Sequence, residues 1–305
     1  MSSTIFQLYR ATGGDAVLAG RRGVGPDRTK RWSAAHYVTY LIVRAIGALS
    51  SSGSVPTNDA AIFAAALQNA DVGTTNFIFS SAEYGGAAHQ TARVGGALHK
   101  VIRWAFELQG LYQPASTIPH DKPGDPWRVD LFLNDHGDRK GGYGPTVDWH
   151  ASDDTLWIRH APDGGSAPQN PRTGQPNHIY VNVRNRGSDA GLAPVATVDV
   201  LAAHGAGTKT WVAPGSGGGA WTTLPAGPGA VINAPVQPGQ TVRFGPFVWS
   251  PAAAGPNALL IRASAPGDRS NADAGSTLAC AIGPIPVEEL IPYDNNLAYR
   301  RWNIP

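Results

Sequence analysis

A chain of 305 residues with net charge +2 and only 15% charged residues gives no electrostatic case for nucleic-acid binding, and its Arg and Lys are scattered rather than clustered. Its 42% hydrophobic content, with 37 Gly and 25 Pro, excludes a disordered chain and implies a globular one rich in turns. A lone cysteine, Cys280, excludes an intrachain disulfide, and no run approaches the ~20 apolar residues of a membrane span.

In chain order, residues 1–113 read as helices. Ile5, Leu8, Tyr9 and Thr12 fall at helical spacing before Gly13-Gly14 stops the run. The stretch 33–50 carries Val38, Leu41, Ile42, Ala45, Ile46 and Leu49 beside Tyr37 and Tyr40, apolar nearly all round, with Ser33 as the expected N-cap. A third helix places Ile62, Phe63, Ala66, Leu67 and Ala70 in one stripe, with Thr57 as cap, Asp59 in its first turn and Gly73 as its end. A fourth puts Val94, Leu98, Val101, Ile102, Ala105 and Phe106 on one face. Gly110 suits its left-handed C-cap, with Leu111 as the hydrophobic companion.

The period changes after Tyr112. Pro114, Pro119, Pro123, Gly124 and Pro126 mark an exposed connector between Gln113 and Trp127, and 127–144 reads as a strand, a polar turn and a return strand. From Trp149 onward the pattern is β throughout. Ile179, Val181 and Val183 alternate with Tyr180, Asn182 and Arg184, and later runs repeat the theme between turns such as Pro238-Gly239. Short strands without intervening helices predict an antiparallel sandwich. The expected fold is α+β: a helical lobe over 1–113, a Pro/Gly-rich connector with a hairpin over 114–148, and an immunoglobulin-like sandwich over 149–305.

The sequence shows no catalytic or metal constellation. None of the nine His stands four residues from another with a Glu between, as zinc peptidase chemistry requires. His36 reads as a core or boundary histidine. The run 134–142 lacks the alternating acids and distal Glu of a calcium loop, 205–210 lacks the Gly-Lys pair of a phosphate loop, and Gly215-Ser216-Gly217 sits in a Gly-rich loop rather than a nucleophile elbow. Glu288 and Glu289 would point apart on a strand, and Cys280 reads as a buried thiol. No cofactor or metal is expected, and the purified chain should hold no stoichiometric zinc. Trp211, Trp221 and Trp249, in or near sandwich loops, are candidates for stacking on sugars; the alternative is that they fill the core or staple loops to it.

Two resemblances extend this reading. The stretch 179–200 (IYVNVRNRGSDAGLAPVATVDV) and the late PYDNNLAYRRW at 292–302 resemble the bacterial CARDB-like group of immunoglobulin-like sandwiches. The helix ending in Gly-Gly, YLIVRAIGAL, FAAALQNAD and ALHKVIRWAFELQGLY resemble the C-terminal helical lobe of thermolysin-like (gluzincin) metallopeptidases. That resemblance implies a zinc-binding lobe N-terminal to Met1. The leading functional expectation is a non-catalytic binding or assembly module; the alternatives are the C-terminal part of a secreted zinc peptidase and a glycan-binding module. A helical lobe without its catalytic partner should carry uncovered apolar surface. Ile5, Leu8, Tyr9 and part of the 35–49 helix are therefore expected to meet a second copy, the chain's own sandwich or another protein. Family resemblance points outside the cell, whereas the sequence opens with no signal peptide.

Overall fold

A computed structural model of the chain describes residues 2–16, 27–51, 60–73, 77–79, 91–93, 95–111, 129–133, 151–187, 194–205, 209–211, 221–272 and 285–305. The expected connector, the polar turn at 134–142, Thr57, Asp59, Cys280 and the Gly-rich loop at 215–217 lie outside these residues, as do the side chains of Glu288 and Glu289.

The helical part comprises α1 (Ser2–Tyr9), α2 (Arg28–Ser51), α3 (Ala60–Val72) and α4 (His99–Glu107). A π-turn at Arg10–Gly14 ends the first helix, with Gly13 at φ 133°, a value open to glycine because it has no Cβ. The second helix starts five residues before the expected cap. Asp27 Oδ1 accepts the Lys30 N–H at 3.0 Å, the geometry of an N-cap. Ser33 is instead buried inside the helix, and its hydroxyl has no hydrogen-bond partner among the described residues. The fourth helix is shorter than its periodicity implies. Residues Thr91–Arg93 form strand β2, paired antiparallel with β1 (Phe77–Phe79). A turn at 95–98 follows, in which the Asp71 carboxylate accepts the N–H groups of Gly96 and Leu98, each at 3.0 Å. At its other end the helix closes as expected. Gly110 has φ 64°, its N–H donates to Glu107 O, and Leu111 N–H donates to Phe106 O at 2.9 Å, the paired bonds of a Schellman motif.

The remaining chain forms the antiparallel sandwich expected from the alternation. One sheet has the order β10 (Asn233–Pro235), β6 (Val195–His204), β12 (Gly255–Ser264) and β14 (Leu297–Ile304), with β8 (Thr222–Thr223) also on β6. The other has β3 (Leu131–Phe132), β5 (Asn177–Asn185), β11 (Thr241–Trp249) and β9 (Ala226–Val231), with β4 (Leu156–Arg159) also on β5. Leu131 and Phe132 thus pair with Asn185 and Arg184 inside the sandwich sheet. Strands β7 (Thr210–Trp211) and β13 (Ile285–Pro286) pair antiparallel with each other apart from both sheets, and a short helix at Val287–Leu290 and a 3-10 turn at Ile291–Tyr293 interrupt the β region before β14.

Between the sheets lies a dry core that includes Ile179, Val181, Val183 and Phe244 from one sheet and Val198, Val200, Leu259 and Ile261 from the other. The outer face of the first sheet is also covered. Leu201, Ala258, Leu260, Leu297 and Tyr299 belong to a second cluster that runs on through Ile102, Leu98 and Tyr293 to Leu8, Tyr37 and Leu41. Helices, first sheet and second sheet therefore make three layers. Strand β12 is the middle of this stack, which is why its Ala258–Ile261 run is apolar without alternation.

Candidate functional site

Two places stand out: a buried polar cluster where α4 meets the first sheet, and an open apolar groove on the helices.

The cluster is assembled at one end of the first sheet. After β12 the chain turns tightly, Ala265 and Asp268 exchanging N–H···O bonds of 2.9 and 3.0 Å, so that Asp268 faces back across the strand end. The 294–296 turn leads into β14 beside it, and α4 lowers Lys100 from its first turn onto both. The Lys100 Nζ lies 2.8 Å from Asp268 Oδ1, 2.6 Å from Asn296 Oδ1 and 3.4 Å from Asp294 Oδ1. The Lys100 side chain is 3% exposed and those of both Asp residues are 0% exposed. Asp268 Oδ2 accepts the Leu131 N–H at 2.7 Å. Asp294 accepts from Ser270 Oγ and Asn271 N, both at 2.6 Å, and from Asn296 N at 3.0 Å. Asn271 Nδ2 donates to the Ala97 carbonyl at 2.9 Å, tying the turn before α4 to the same knot. Asn295 Nδ2 donates to Asp130 Oδ1 at 2.8 Å, and Asp130 also pairs with Arg186.

Burial raises the Asp268 pKa; the Lys100 charge opposes that rise. Burial also works against the Lys100 ammonium, but the carboxylates of Asp268 and Asp294 outweigh it and hold its pKa above the ordinary value. One helical turn or two away, burial pushes Glu107 up to about 8 against the pull of Arg103 at 2.9 Å. His99 falls to about 4, mainly through burial and secondarily through Arg103 and Lys100.

The groove lies between α2 and α3. It is about 650 Å³, lined by Val43, Gly47, Ile62, Ala65, Ala66 and Asn69 among others. Beside it Val43 is 63% and Ile46 53% exposed, and Ile62 is 40% exposed. The second helix therefore buries Tyr37, Val38, Leu41 and Ala45 and turns an apolar flank outward. His36 is exposed, not a core histidine, and its ring lies tilted beside Trp32 at 5.7 Å between centroids.

The other sequence candidates divide. Trp211 and Trp249 are buried, so neither presents a face to a sugar; Trp211 joins the helix–sheet cluster and Trp249 the inter-sheet core. Trp221 is half-buried, edge-on to Tyr299 at 6.2 Å, and its Nε1–H donates to Thr210 O at 2.8 Å. Leu8 is fully buried and Ile5 packs on the same cluster, so this part of α1 is covered by the chain's own residues; Tyr9 is half-buried. Among the described residues no group of three or more His, Cys, Asp or Glu is arranged to hold a metal, and no helix is long and apolar enough to cross a membrane. Sequence reasoning missed Lys100 and Asp268 altogether. The one signal was Lys100 itself, a cation next to Val101 and Ile102 in a chain with only five Lys.

Fold and site together define a β-sandwich module with a helical layer on one sheet. No model of a known protein family matches the sequence, and no curated protein matches it. Among solved structures it is similar to the CARDB domain of the PF1109 protein from Pyrococcus furiosus, a domain described in complex with di-metal ions. The overlap covers 64% of this chain and 98% of that one at 12% identity and a TM-score of 0.24, too low to carry an argument about ligand or function. The antiparallel sandwich rests on this structure's own strands. Nothing in the comparisons supports the resemblance of the helices to a metallopeptidase lobe.

Proposed function

We propose that the chain is a binding or assembly module, with 1–113 as its contact layer and the sandwich over 149–305 as its rigid support, and that it pairs with a second copy of itself through the α2–α3 face. The observation that carries this is the juxtaposition on one surface of exposed Ile46, the exposed Val43 at the groove wall, and a mostly apolar groove lined also by Arg44, Ile62, Ala65 and Ala66. A two-fold pairing needs a self-complementary patch, and a ridge beside a groove is one: each copy's ridge enters the other's groove. Covering exposed Val and Ile side chains contributes about 25 cal/mol per Å² of apolar area. The sandwich origin suggested by the CARDB-like motifs fits this reading, whereas a peptidase origin has no structural support and the proposal does not depend on it.

Light scattering over a range of concentrations should show a dimer that Val43→Lys or Ile46→Glu dissociates into a monomer that still melts cooperatively, at a temperature that no longer depends on concentration. A wild-type chain that stays monomeric throughout would defeat the proposal.

A further inference from the structure

Independently of the dimer, we propose that Lys100 and Asn296 become joined by a spontaneously formed amide bond, which fastens helix α4 covalently to the turn before strand β14. Three features of the cluster point to it. First, the amine nitrogen is 2.6 Å from the carboxamide oxygen of Asn296, so the carbonyl carbon is one bond further on. Attack requires the amide, whose Nδ2 donates to the Asp268 carbonyl at 3.3 Å, to rotate about Cβ–Cγ so that its face meets the nitrogen. Held reactants of this kind react as intramolecular partners, with large effective molarities. Second, a carboxyl group touches the nucleophile: Asp268 Oδ1 is 2.8 Å from Nζ. Third, the Lys100 and Asp268 side chains are almost fully removed from water. Moving a proton from the ammonium to the Asp268 carboxylate removes two buried charges, which burial favours, against the hold that the Asp294 carboxylate at 3.4 Å keeps on the ammonium.

The atoms balance without a further reactant. Proton transfer within the pair leaves Lys100 as a free amine and Asp268 as a carboxylic acid. Nζ attacks Cγ of Asn296, and the carbonyl π pair moves onto Oδ1. Asp268 takes a proton from Nζ and delivers one to Nδ2. Collapse restores the C=O bond and breaks Cγ–Nδ2, and ammonia leaves. The products are a secondary amide, ammonia and a protonated Asp268, which gives its proton to the departing ammonia. Nothing is oxidised or reduced. Asp294 acts as a positioning residue. It accepts the Asn296 backbone N–H at 3.0 Å while Ser270 Oγ and Asn271 N hold its other oxygen, so the turn that carries Asn296 is held beside the amine. The link would span 196 residues of sequence.

The test is the mass of the full-length protein. We expect it one ammonia lighter than the sequence requires, no tryptic cleavage after Lys100, and a branched peptide containing both Lys100 and Asn296. Amine labelling of the denatured chain should modify the other lysines and spare Lys100. Asp268→Asn should restore the full mass in a chain that still melts cooperatively. A wild-type chain of full mass with Lys100 open to labelling overturns the proposal and leaves a plain ion cluster. A loss of water with a Lys100–Asp268 link overturns it, as does a loss of ammonia without a branched peptide, the mark of a cyclised Asn. Because the wild-type mass decides the matter, a variant that fails to fold does not rescue the idea.

Discussion

The two faces of the first sheet solve the same problem differently. Its inner face meets the second sheet through the aliphatic side chains of Val198, Val200, Leu259 and Ile261. Its outer face meets the helices through Leu201, Leu260 and Tyr299, and the end of that contact is filled by Lys100, Asp268, Asp294 and Asn296. An aliphatic core accepts volume-conserving exchange with modest loss. A buried ion cluster does not accept the loss of one member, because the survivors keep their charge and lose their partner. The inner face is thus tolerant in composition, while the outer face carries position-specific constraints.

Removing Lys100 should be the most damaging single change. Lys100→Met takes the nitrogen out of the buried polar cluster, and we expect about 3–5 kcal/mol of lost stability, read from chemical denaturation. A loss below that of an ordinary core truncation would erase the contrast between the faces. Leu260→Ala comes next, at about 2–5 kcal/mol. Because Leu260 joins the sheet to the helical cluster, helical and β signals should still melt together. Two separate transitions would show that the shared core does not couple the layers. Asp27→Ala should cost about 0.5–2 kcal/mol through loss of the α2 cap, whereas Ser33→Ala, at the position the sequence suggested, should change stability by no more than about 0.5 kcal/mol.

The mildest effect is a slope with pH. Glu107 is raised from 4.5 to about 8 in the folded chain. The folded state therefore binds more protons than the unfolded one across that window, and stability falls as pH rises through it. The contribution is fully present below the unfolded value and lost once pH passes the folded one. Glu107→Gln should flatten that decline, visible in melting temperatures measured between pH 5 and pH 9; a variant with the wild-type slope would remove Glu107 as its source.

What the sequence showed depended on how local the cause was. The alternation through Ile179, Val181 and Val183 survives as a strand because one face of β5 meets a core. The Gly110–Leu111 helix end is a short-range motif and is present bond for bond. The N-cap of α2 was misplaced because Ser33 and Asp27 are both good caps, and only the path of the preceding chain decides between them. Residues 91–93 form a strand because their neighbours at 77–79 supply the pairing, which no periodicity reports. Trp211 and Trp249 were ambiguous since ring and indole N–H suit a core as well as a surface. The polar cluster was the least legible of all. Asp268 lies 168 residues from Lys100 and Asn296 lies 196, so no spacing along the chain reveals them, although the Asp294-Asn295-Asn296 turn was conspicuous in itself.

The tie between the first and last elements of the chain has a consequence while the chain is being made. The Tyr293 hydroxyl donates to the Thr12 carbonyl at 3.1 Å, a separation of 281 residues, and Leu8 shares its cluster with Leu297 and Tyr299. At the usual pace of roughly 5–20 residues per second, the first helices leave the ribosome well before the strand they are to lie on. Their inner faces must wait, apolar and unmatched, until β14 arrives. A chaperone that shields exposed apolar segments should therefore associate with the nascent chain early and leave only after the last strand has emerged.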